Sequence, residues 1–317
     1  MKILANDGIA PIGKQQLEEA GFEVVTETVP QAELANAINN NNYVAVLVRS
    51  ATTVRKDVID ACPNLKLIGR GGVGMDNIDV AYAREKGLHV INTPAASSQS
   101  VAEQVMAHLF SVARSLYDSN RQMPINGIND FKALKKKYGK GIELRGKTLG
   151  ILGIGRIGQA VAKYALGCGM NVIAFDPFID KVTIDVQVGS QTVNVDITTV
   201  SKDELIAKSD FITLHMPAQA DGKPVIGNEE FSKMKDGVII VNAARGGVID
   251  ETALINNLNN GKVAVAALDV YVNEPSPRED ILTHPKISLT PHIGAATVEA
   301  QDRIGEELAS QIKALLG

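Results

Sequence analysis

The sequence predicts an α/β protein built from two doubly wound parallel-sheet domains, and three observations carry that prediction. The chain has 317 residues, which at roughly 150 residues per domain suggests two domains, each able to bury a core. Short runs rich in Val, Ile and Leu alternate repeatedly with longer segments of helical period, the pattern of βαβ units. One of these runs leads straight into a glycine turn, Gly153-Ile154-Gly155-Arg156-Ile157-Gly158, that opens a helical segment.

In the first half, strands are expected at residues 2–6, 22–26, 43–48, 65–69 and 88–92, with helices between them. The run Val44-Ala45-Val46-Leu47-Val48 has no polar alternation because a parallel sheet is covered on both faces. From Ser98 to Leu116, Val101, Val105, Leu109 and Val112 recur at helical spacing, which predicts a long helix leaving this domain. The following segment, with Pro124, several glycines and Lys135-Lys136-Lys137, reads as a loop containing a domain boundary, its lysines a solvated face.

A second series begins at Lys147. Strands are expected at 148–152, 172–176, 211–214, 238–242, 264–268 and 287–290, and a terminal helix from about Ala296. Residues 183–197 differ. Ile184, Val186 and Val188, then Val193, Val195 and Ile197, alternate with polar residues around Gly189-Ser190, which predicts an antiparallel hairpin inserted at an edge.

Composition narrows the partners. A net charge of −4 leaves no basic excess to neutralise nucleic acid or an anionic membrane surface. The two cysteines, Cys62 and Cys168, make no disulfide framework and have no zinc-type spacing, so no metal site is expected and a reducing compartment fits. The start MKILANDGIA carries no targeting signal and no apolar run approaches a membrane span. The expectation is a cytoplasmic protein.

The glycine turn has a specific chemistry. Gly153 permits the tight turn, Gly155 lets the backbone approach a pyrophosphate, and Gly158 lets the helix pack close to its strand. The helix start, with Arg156 and Ile157, offers free amides and a positive dipole end to an anion. Asp176 ends the next strand, where an acidic side chain accepts hydrogen bonds from the adenosine ribose and repels a 2′-phosphate, so NAD is the expected cofactor. A glycine turn needed only for packing is the bland alternative.

Hydride transfer requires one proton donor, and the chain offers His89, His108, His215, His284 and His292. His108 on an apolar helix and His89 at a strand start read as structural. His284 before Pro285, and His215 before Met216-Pro217, read as turn or cofactor-edge residues. His292 follows a predicted strand, and open α/β sheets bind ligands at strand carboxyl ends. Arg245 follows one neighbouring strand, and Asp269 and Glu274 follow another. A guanidinium suits a carboxylate, so Arg245, Glu274 and His292 form the expected catalytic set on one rim.

The segments GKTLGILGIGRIG, FITLHMP, VNAARGGVID, ALDVYVNEP and LTPHIGAAT, with IGRGGVGMDNID upstream, resemble the D-isomer-specific 2-hydroxyacid dehydrogenase family over essentially the whole chain. The resemblance implies a Rossmann-type NAD domain, residues 98–287, inserted into a flavodoxin-like substrate domain, residues 1–97 and 288–317. It places the family's catalytic Arg, Glu and His on Arg245, Glu274 and His292. The family's carboxylate-binding loop falls on Gly72-Val73-Gly74, and its nicotinamide-side acid on Asp269. Cofactor contacts are further expected at Val101, His215, Pro217 and Ala243.

Within the family, the pattern is nearest the branch that oxidises D-3-phosphoglycerate to 3-phosphohydroxypyruvate at the start of L-serine synthesis. In that branch arginines of the first domain help to hold the phosphate, and the matching positions are Arg49 and Arg70. The bland alternative for both is an ion pair with Asp76 or Asp79. A homodimer through the NAD domain is implied, with the helix after Ser98 contributing; its apolar stripe is buried either there or, in the bland alternative, within one chain. The family's usual tryptophan before the glycine turn is replaced by Phe131, and HMP stands for the more frequent HTP. The sequence ends at Gly317, so the expectation is a short form without the regulatory domain that many members add. Two readings stay beside the main one: a hydroxypyruvate or glyoxylate reductase, and a non-catalytic NAD-sensing protein.

Overall fold

The computed structural model describes residues 1–219 and 221–317. Two compact units result, Met1–Ser100 with Ala295–Gly317, and Val101–Gly294.

Unit 1 holds β1 (Lys2–Ala5), β2 (Glu23–Val25), β3 (Tyr43–Val48), β4 (Leu67–Arg70) and β5 (His89–Asn92), with α1 (Pro11–Glu19), α2 (Leu34–Asn40), α3 (Lys56–Ala61) and α4 (Val80–Glu85) between them. All strands are parallel, in the order β2-β1-β3-β4-β5. That is the flavodoxin-like doubly wound order. Each face of the sheet covers its own apolar cluster, one with Leu4, Val46 and Ile68, the other with Ile3, Ala45 and Leu67, so β3 needs no polar alternation.

Unit 2 begins in α5 (Ser98–Ala113), which crosses the division between the units. It continues through α6 (Leu116–Tyr138), β6 (Thr148–Leu152), α7 (Arg156–Gly167), β7 (Asn171–Phe175), β8 (Lys181–Val188), β9 (Gln191–Thr198), α8 (Lys202–Lys208), β10 (Phe211–Leu214), α9 (Asn228–Lys233), β11 (Val238–Asn242), α10 (Glu251–Asn260), β12 (Val263–Leu268), α11 (Glu279–Leu282) and β13 (Ile287–Leu289). Six parallel strands lie in the order β13-β12-β11-β10-β6-β7. The order reverses between β6 and β10, which are paired neighbours, and a ligand crevice belongs outside the strand ends at such a point. The chain closes in unit 1 with α12 (Val298–Leu316).

Three expectations are corrected. The return to unit 1 comes at Ala295 rather than 288, because β13 pairs with β12 and stays in the six-stranded sheet. The segment after Leu116 is helical, not a loop. Its helix breaks at Asp130 (φ −117°, ψ 22°), and Asp118 accepts hydrogen bonds from Lys137 Nζ at 2.6 Å and Tyr138 Oη at 2.8 Å. Twenty residues of straight helix would span about 30 Å, so the two arms fold back on one another. Pro124 and Gly127 concealed this helix because local propensity alone argues against it. Finally, the stripe of Val105, Leu109 and Val112 packs within its own chain, against Leu149, Ile151 and Val161, and is no interface.

The hairpin forms as expected, β8 against β9 with Gly189 at φ 62°. Ile184, Val186 and Ile197 join the unit 2 core, while Val188 and Val193 near the tip are exposed. In unit 1, α12 lies on α1 because Gly13 and Gly305 meet: a Cβ on Gly13 would come within 2.6 Å of the Gly305 backbone. No helix among the described residues is long and apolar enough to cross a membrane.

Candidate active site

The sequence places chemistry at the ends of β11, β12 and β13, and the sheet makes these strands neighbours. Beyond β11, buried Asn242 shapes the turn: its side chain donates to the Arg245 carbonyl (3.0 Å) and accepts from the Ala244 amide (3.1 Å). Arg245 Nη1 donates to the Ala244 carbonyl at 2.7 Å. A Cβ on Gly246 would overlap the Tyr271 carbonyl, so glycine there lets the Arg245 turn lie directly on the loop after β12.

That loop fixes Glu274 through both oxygens. Oε1 accepts from the Tyr271 amide at 2.9 Å, and Oε2 lies 2.7 Å from His292 Nδ1. An ionised carboxylate only accepts, so Nδ1 carries a hydrogen, and Nε2 is the nitrogen left to exchange a proton with a substrate. Both side chains are about a third exposed, 38% for His292 and 32% for Glu274, so the pair meets solvent or ligand. His292 sits at φ 54°, in the left-handed region. Its backbone is tied on both sides, by its own amide to the Thr290 carbonyl and by Asp269, which accepts from the amides of Ile293 (2.9 Å) and Gly294 (2.8 Å). Residues held in such a region persist where their surroundings over-determine them.

The switch point between β6 and β10 carries the second part of the site. Gly153, at φ 95°, turns so closely that a Cβ would come within 2.6 Å of the His215 carbonyl. A Cβ on Gly158 would overlap the Gly153 carbonyl, whereas one on Gly155 would meet nothing within 4 Å. The first and third glycines thus serve packing, and the second leaves open space before the start of α7, which receives no side-chain cap. Arg156, Ile157 and Gly158 form that first turn. A cleft of about 660 Å³ opens here, lined by Gly153, Gly155, Asp176, Phe178, His215 and Pro217 among others. Its size falls within the range of cofactor pockets, about 300–1,000 Å³. Asp176 accepts from the Ile154 amide through Oδ2 and the Phe178 amide through Oδ1. A carboxylate has about four acceptor sites, so two remain for a ligand.

These features match a known family. Residues 106–294 fit the family described as "D-isomer specific 2-hydroxyacid dehydrogenase, NAD binding domain". The chain belongs to this family. It is 42% identical over 314 residues to D-3-phosphoglycerate dehydrogenase of Archaeoglobus fulgidus, covering 98% of this chain and 56% of that protein. The chain therefore spans little more than half the length of that relative. It is 45% identical over 299 residues to hydroxypyruvate reductase of Thermotoga maritima, covering 93% of this chain and 92% of the other. Among solved structures, cofactor-bound 3-phosphoglycerate dehydrogenase of Entamoeba histolytica superposes with a TM-score of 0.78 at 30% identity, over 99% of this chain and 94% of that one.

As an NAD-binding domain of this family, unit 2 has residues that suit the cofactor. The open space at Gly155, the uncapped amides of α7 and the carboxylate of Asp176 answer a pyrophosphate and a ribose. His215 lines the cleft, with Nε2 at 3.0 Å from Thr213 Oγ1, and burial pulls its pKa down to about 3. It is a neutral wall there. Val101 touches the space beside Gly294 and Asp269, and Ala243 is half-buried in the turn that carries Arg245.

The other candidates fall where the sequence put them in the chain, with differing surroundings. In unit 1, Arg49 follows β3 and Arg70 ends β4. The Arg49 stem lies against Gly71 and the Arg70 guanidinium against Gly72, which is at φ 143°. Asp79 is engaged by Arg55 at 3.0 Å. Val73, between Gly72 and Gly74, accepts through its carbonyl from Asn92 Nδ2 at 2.6 Å. His89 is exposed at a strand start, and His284 bonds Asn259. Among the described residues no His/Cys/Asp/Glu group suits a metal ion.

Sequence reasoning overlooked two supports of the site. Thr290 and His108, 182 residues apart, are hydrogen-bonded beneath the His292 turn. Glu251, at the start of α10, accepts from the Val272 amide at 2.8 Å, and burial raises its pKa. No short-range spacing could signal either contact.

Proposed function

We propose that the chain is an NAD-dependent D-2-hydroxyacid dehydrogenase that oxidises D-3-phosphoglycerate reversibly to 3-phosphohydroxypyruvate, the opening step of L-serine synthesis. The observation that carries the enzymatic reading is the Glu274–His292 pair at 2.7 Å on neighbouring strand ends, with the Arg245 turn resting on the same loop. A sensing protein would need the glycine cradle but not this pair.

In this reading NAD, when bound, takes or supplies the hydride at substrate C2. In the reducing direction His292 Nε2 gives its proton to the developing alkoxide, and in oxidation it accepts the hydroxyl proton. Glu274 fixes the ring through Nδ1, which leaves Nε2 toward the substrate. Arg245 takes the carboxylate by a planar fork, and Asp269 serves the nicotinamide side. Unit 1 is the substrate-binding domain, with the Gly72-Val73-Gly74 amides for the carboxylate and Arg49 and Arg70 for the phosphate. The Arg49 stem beside Gly71 and the Arg70 guanidinium beside Gly72 put both residues next to the proposed carboxylate loop, a placement that supports a phosphorylated substrate.

The likeness to a hydroxypyruvate reductase of nearly the same length favours a second reading, and one experiment separates them. Initial rates with NADH are compared on 3-phosphohydroxypyruvate and hydroxypyruvate, for the native chain and for Arg49→Ala/Arg70→Ala. The main reading expects the double variant to lose on the order of 100-fold or more in kcat/KM on the phosphorylated acid, from lost charge-assisted hydrogen bonds. Hydroxypyruvate should stay within a few-fold. Equal losses on both substrates would assign the arginines to the fold and leave the reductase reading standing.

We also infer a homodimer through unit 2. The expected stripe on α5 is buried internally, but Phe110, Leu116, Ile125, Ile128 and Phe131 of α5 and α6 are exposed, apolar side chains that an isologous contact would cover. Light scattering giving a monomer mass at micromolar concentration would reject it.

A further inference from the structure

His108 is one of the most buried polar groups in unit 2, 3% exposed on α5. Its Nε2 lies 3.0 Å from Thr290 Oγ1, and Gln104 Nε2, one turn earlier on the same helix, lies 3.3 Å from the same oxygen. Thr290 Oγ1 is in turn 2.6 Å from Asp269 Oδ1. Asp269 already accepts the amides of Ile293 and Gly294, the two residues that follow His292.

The hydrogens can be counted. A hydroxyl has one hydrogen to give and two acceptor sites. Facing a carboxylate that takes two amide hydrogens, Thr290 gives its hydrogen to Asp269. Its oxygen then accepts from Gln104 and, at the shorter distance, from His108, so His108 carries its hydrogen on Nε2, and the Gln104 amide, which also lies 3.4 Å from that nitrogen, gives its hydrogen to Thr290 rather than to the ring. The opposite tautomer would set two lone pairs against each other at 3.0 Å, or turn the Thr290 hydrogen away from Asp269. Burial lowers the pKa of His108, so near neutral pH the ring has a single hydrogen, and the network decides where it sits.

We propose that His108 and Thr290 are positioning residues for the proton-transfer turn: His108 orients the Thr290 hydroxyl, the hydroxyl orients Asp269, and Asp269 holds the Ile293 and Gly294 amides that keep His292 in its left-handed conformation. The chain starts on a helix residue that looks inert in the sequence and ends one residue from the proton donor. This inference rests on the reading of His292 given above, and its test has a part that does not.

The test uses Thr290→Val, which keeps shape and loses the hydroxyl, Thr290→Ser, which restores it, and His108→Leu. His108→Gln, which keeps a donor, is the milder variant. In the intact protein without cofactor, hydrogen exchange of the 291–296 backbone should rise at least tenfold in Thr290→Val and His108→Leu and return within twofold of native in Thr290→Ser. Nitrogen-15 spectra should report the Nε2–H tautomer for His108. In turnover, kcat should fall tenfold or more for the two disruptive variants, with the Kd for NADH within threefold because the Gly153–Gly158 cradle is untouched. The double variant His108→Leu/Thr290→Val should be no slower than the worse single one, since both break one chain. Native exchange in Thr290→Val, an Nδ1–H tautomer, or losses that Thr290→Ser fails to restore would overturn the proposal. If instead His292→Asn retains turnover while the exchange pattern is as stated, the positioning network stands and the reading of His292 falls.

Discussion

The two glycines of the fingerprint that differ most in their surroundings should separate binding from stability. Gly155 has φ −68° and ψ −162°, an extended conformation open to any L residue, and its Cβ would meet nothing within 4 Å. Gly155→Ala should therefore fold normally, with a gain of about 0.4–1 kcal/mol from a more restricted unfolded chain. Its methyl group would stand in the space from which a pyrophosphate approaches the α7 amides. Losing one or two hydrogen bonds to a charged group, at about 1.5–3 kcal/mol each, should weaken NADH by roughly two orders of magnitude. Gly158 is the reverse. Its Cβ would overlap the Gly153 carbonyl and lie 3.2 Å from Ile151 Cγ2, and neither group is the free end of a flexible side chain. Overpacking of this kind costs about 1–3 kcal/mol, partly offset by about 1 kcal/mol of helix propensity.

NADH fluorescence titration and thermal scans with and without NADH measure both quantities. Gly155→Ala should keep its apo Tm and lose the ligand-induced rise, which is about 2.7 kcal/mol of stabilisation at one hundred times Kd. Gly158→Ala should unfold several degrees lower, since about 1 kcal/mol corresponds to roughly 2–4 °C in a unit of this size. A Gly155→Ala variant with native affinity would refute the assignment of the open space to the cofactor. One that loses as much Tm as Gly158→Ala would refute the division of labour.

His292→Asn should keep NADH affinity while turnover falls on the order of 100-fold or more, the scale of a positioned acid or base; near-native turnover of purified protein would place proton transfer elsewhere. NADH should exceed NADPH by at least about tenfold in kcat/KM, because a 2′-phosphate would meet the Asp176 carboxylate, and equal efficiencies would remove that role. His215 gives a pH prediction. Its folded pKa of about 3 lies below the ordinary value of about 6.5, so the unfolded chain takes up the proton first. Stability is then full above pH 6.5 and lost as pH falls toward 3, by about 2 kcal/mol at pH 5 on a rough reckoning. His215→Gln should lose less between pH 7 and pH 5 in urea unfolding, and identical losses would mean that the ring ionises freely in the fold.

Much of the architecture was legible because hydrophobic period reports it directly. The runs at 43–48, 148–152, 211–214 and 238–242 form strands with those bounds, since a strand covered on both faces has little choice of residue. The hairpin was readable from its alternation. The segment after Leu116 was not, because Pro124 and Gly127 argue locally for a loop while the return of Lys137 and Tyr138 onto Asp118 supplies the stabilisation from a distance. The α5 stripe was seen correctly as apolar, but periodicity reports that a face is buried and not what buries it. Leu149 and Ile151 of β6 do so, while Phe110 on the same helix is left exposed.

The candidate site divides in the same way. Glu274, His292 and Arg245 could be picked out because each stands just past a strand, where residue type and position coincide. The residues that hold them could not, because their contributions are made through backbone groups of distant loops. Glu274 faces His292 only because Tyr271 offers its amide to the second carboxylate oxygen, and that geometry depends on Gly246 letting one loop rest on another. His292 presents Nε2 because Glu274 engages Nδ1, on a turn whose next two amides are accepted by Asp269. Asp269 itself shows how one residue type hides two tasks. The sequence assigns it to the cofactor, yet its two oxygens also receive two amides and the Thr290 hydroxyl. An Asp269→Asn variant would replace one acceptor oxygen with a donor facing an amide, so it should disturb the His292 turn even in the protein without cofactor. A change confined to NADH affinity, with native exchange at residues 291–296, would leave Asp269 with the cofactor task alone.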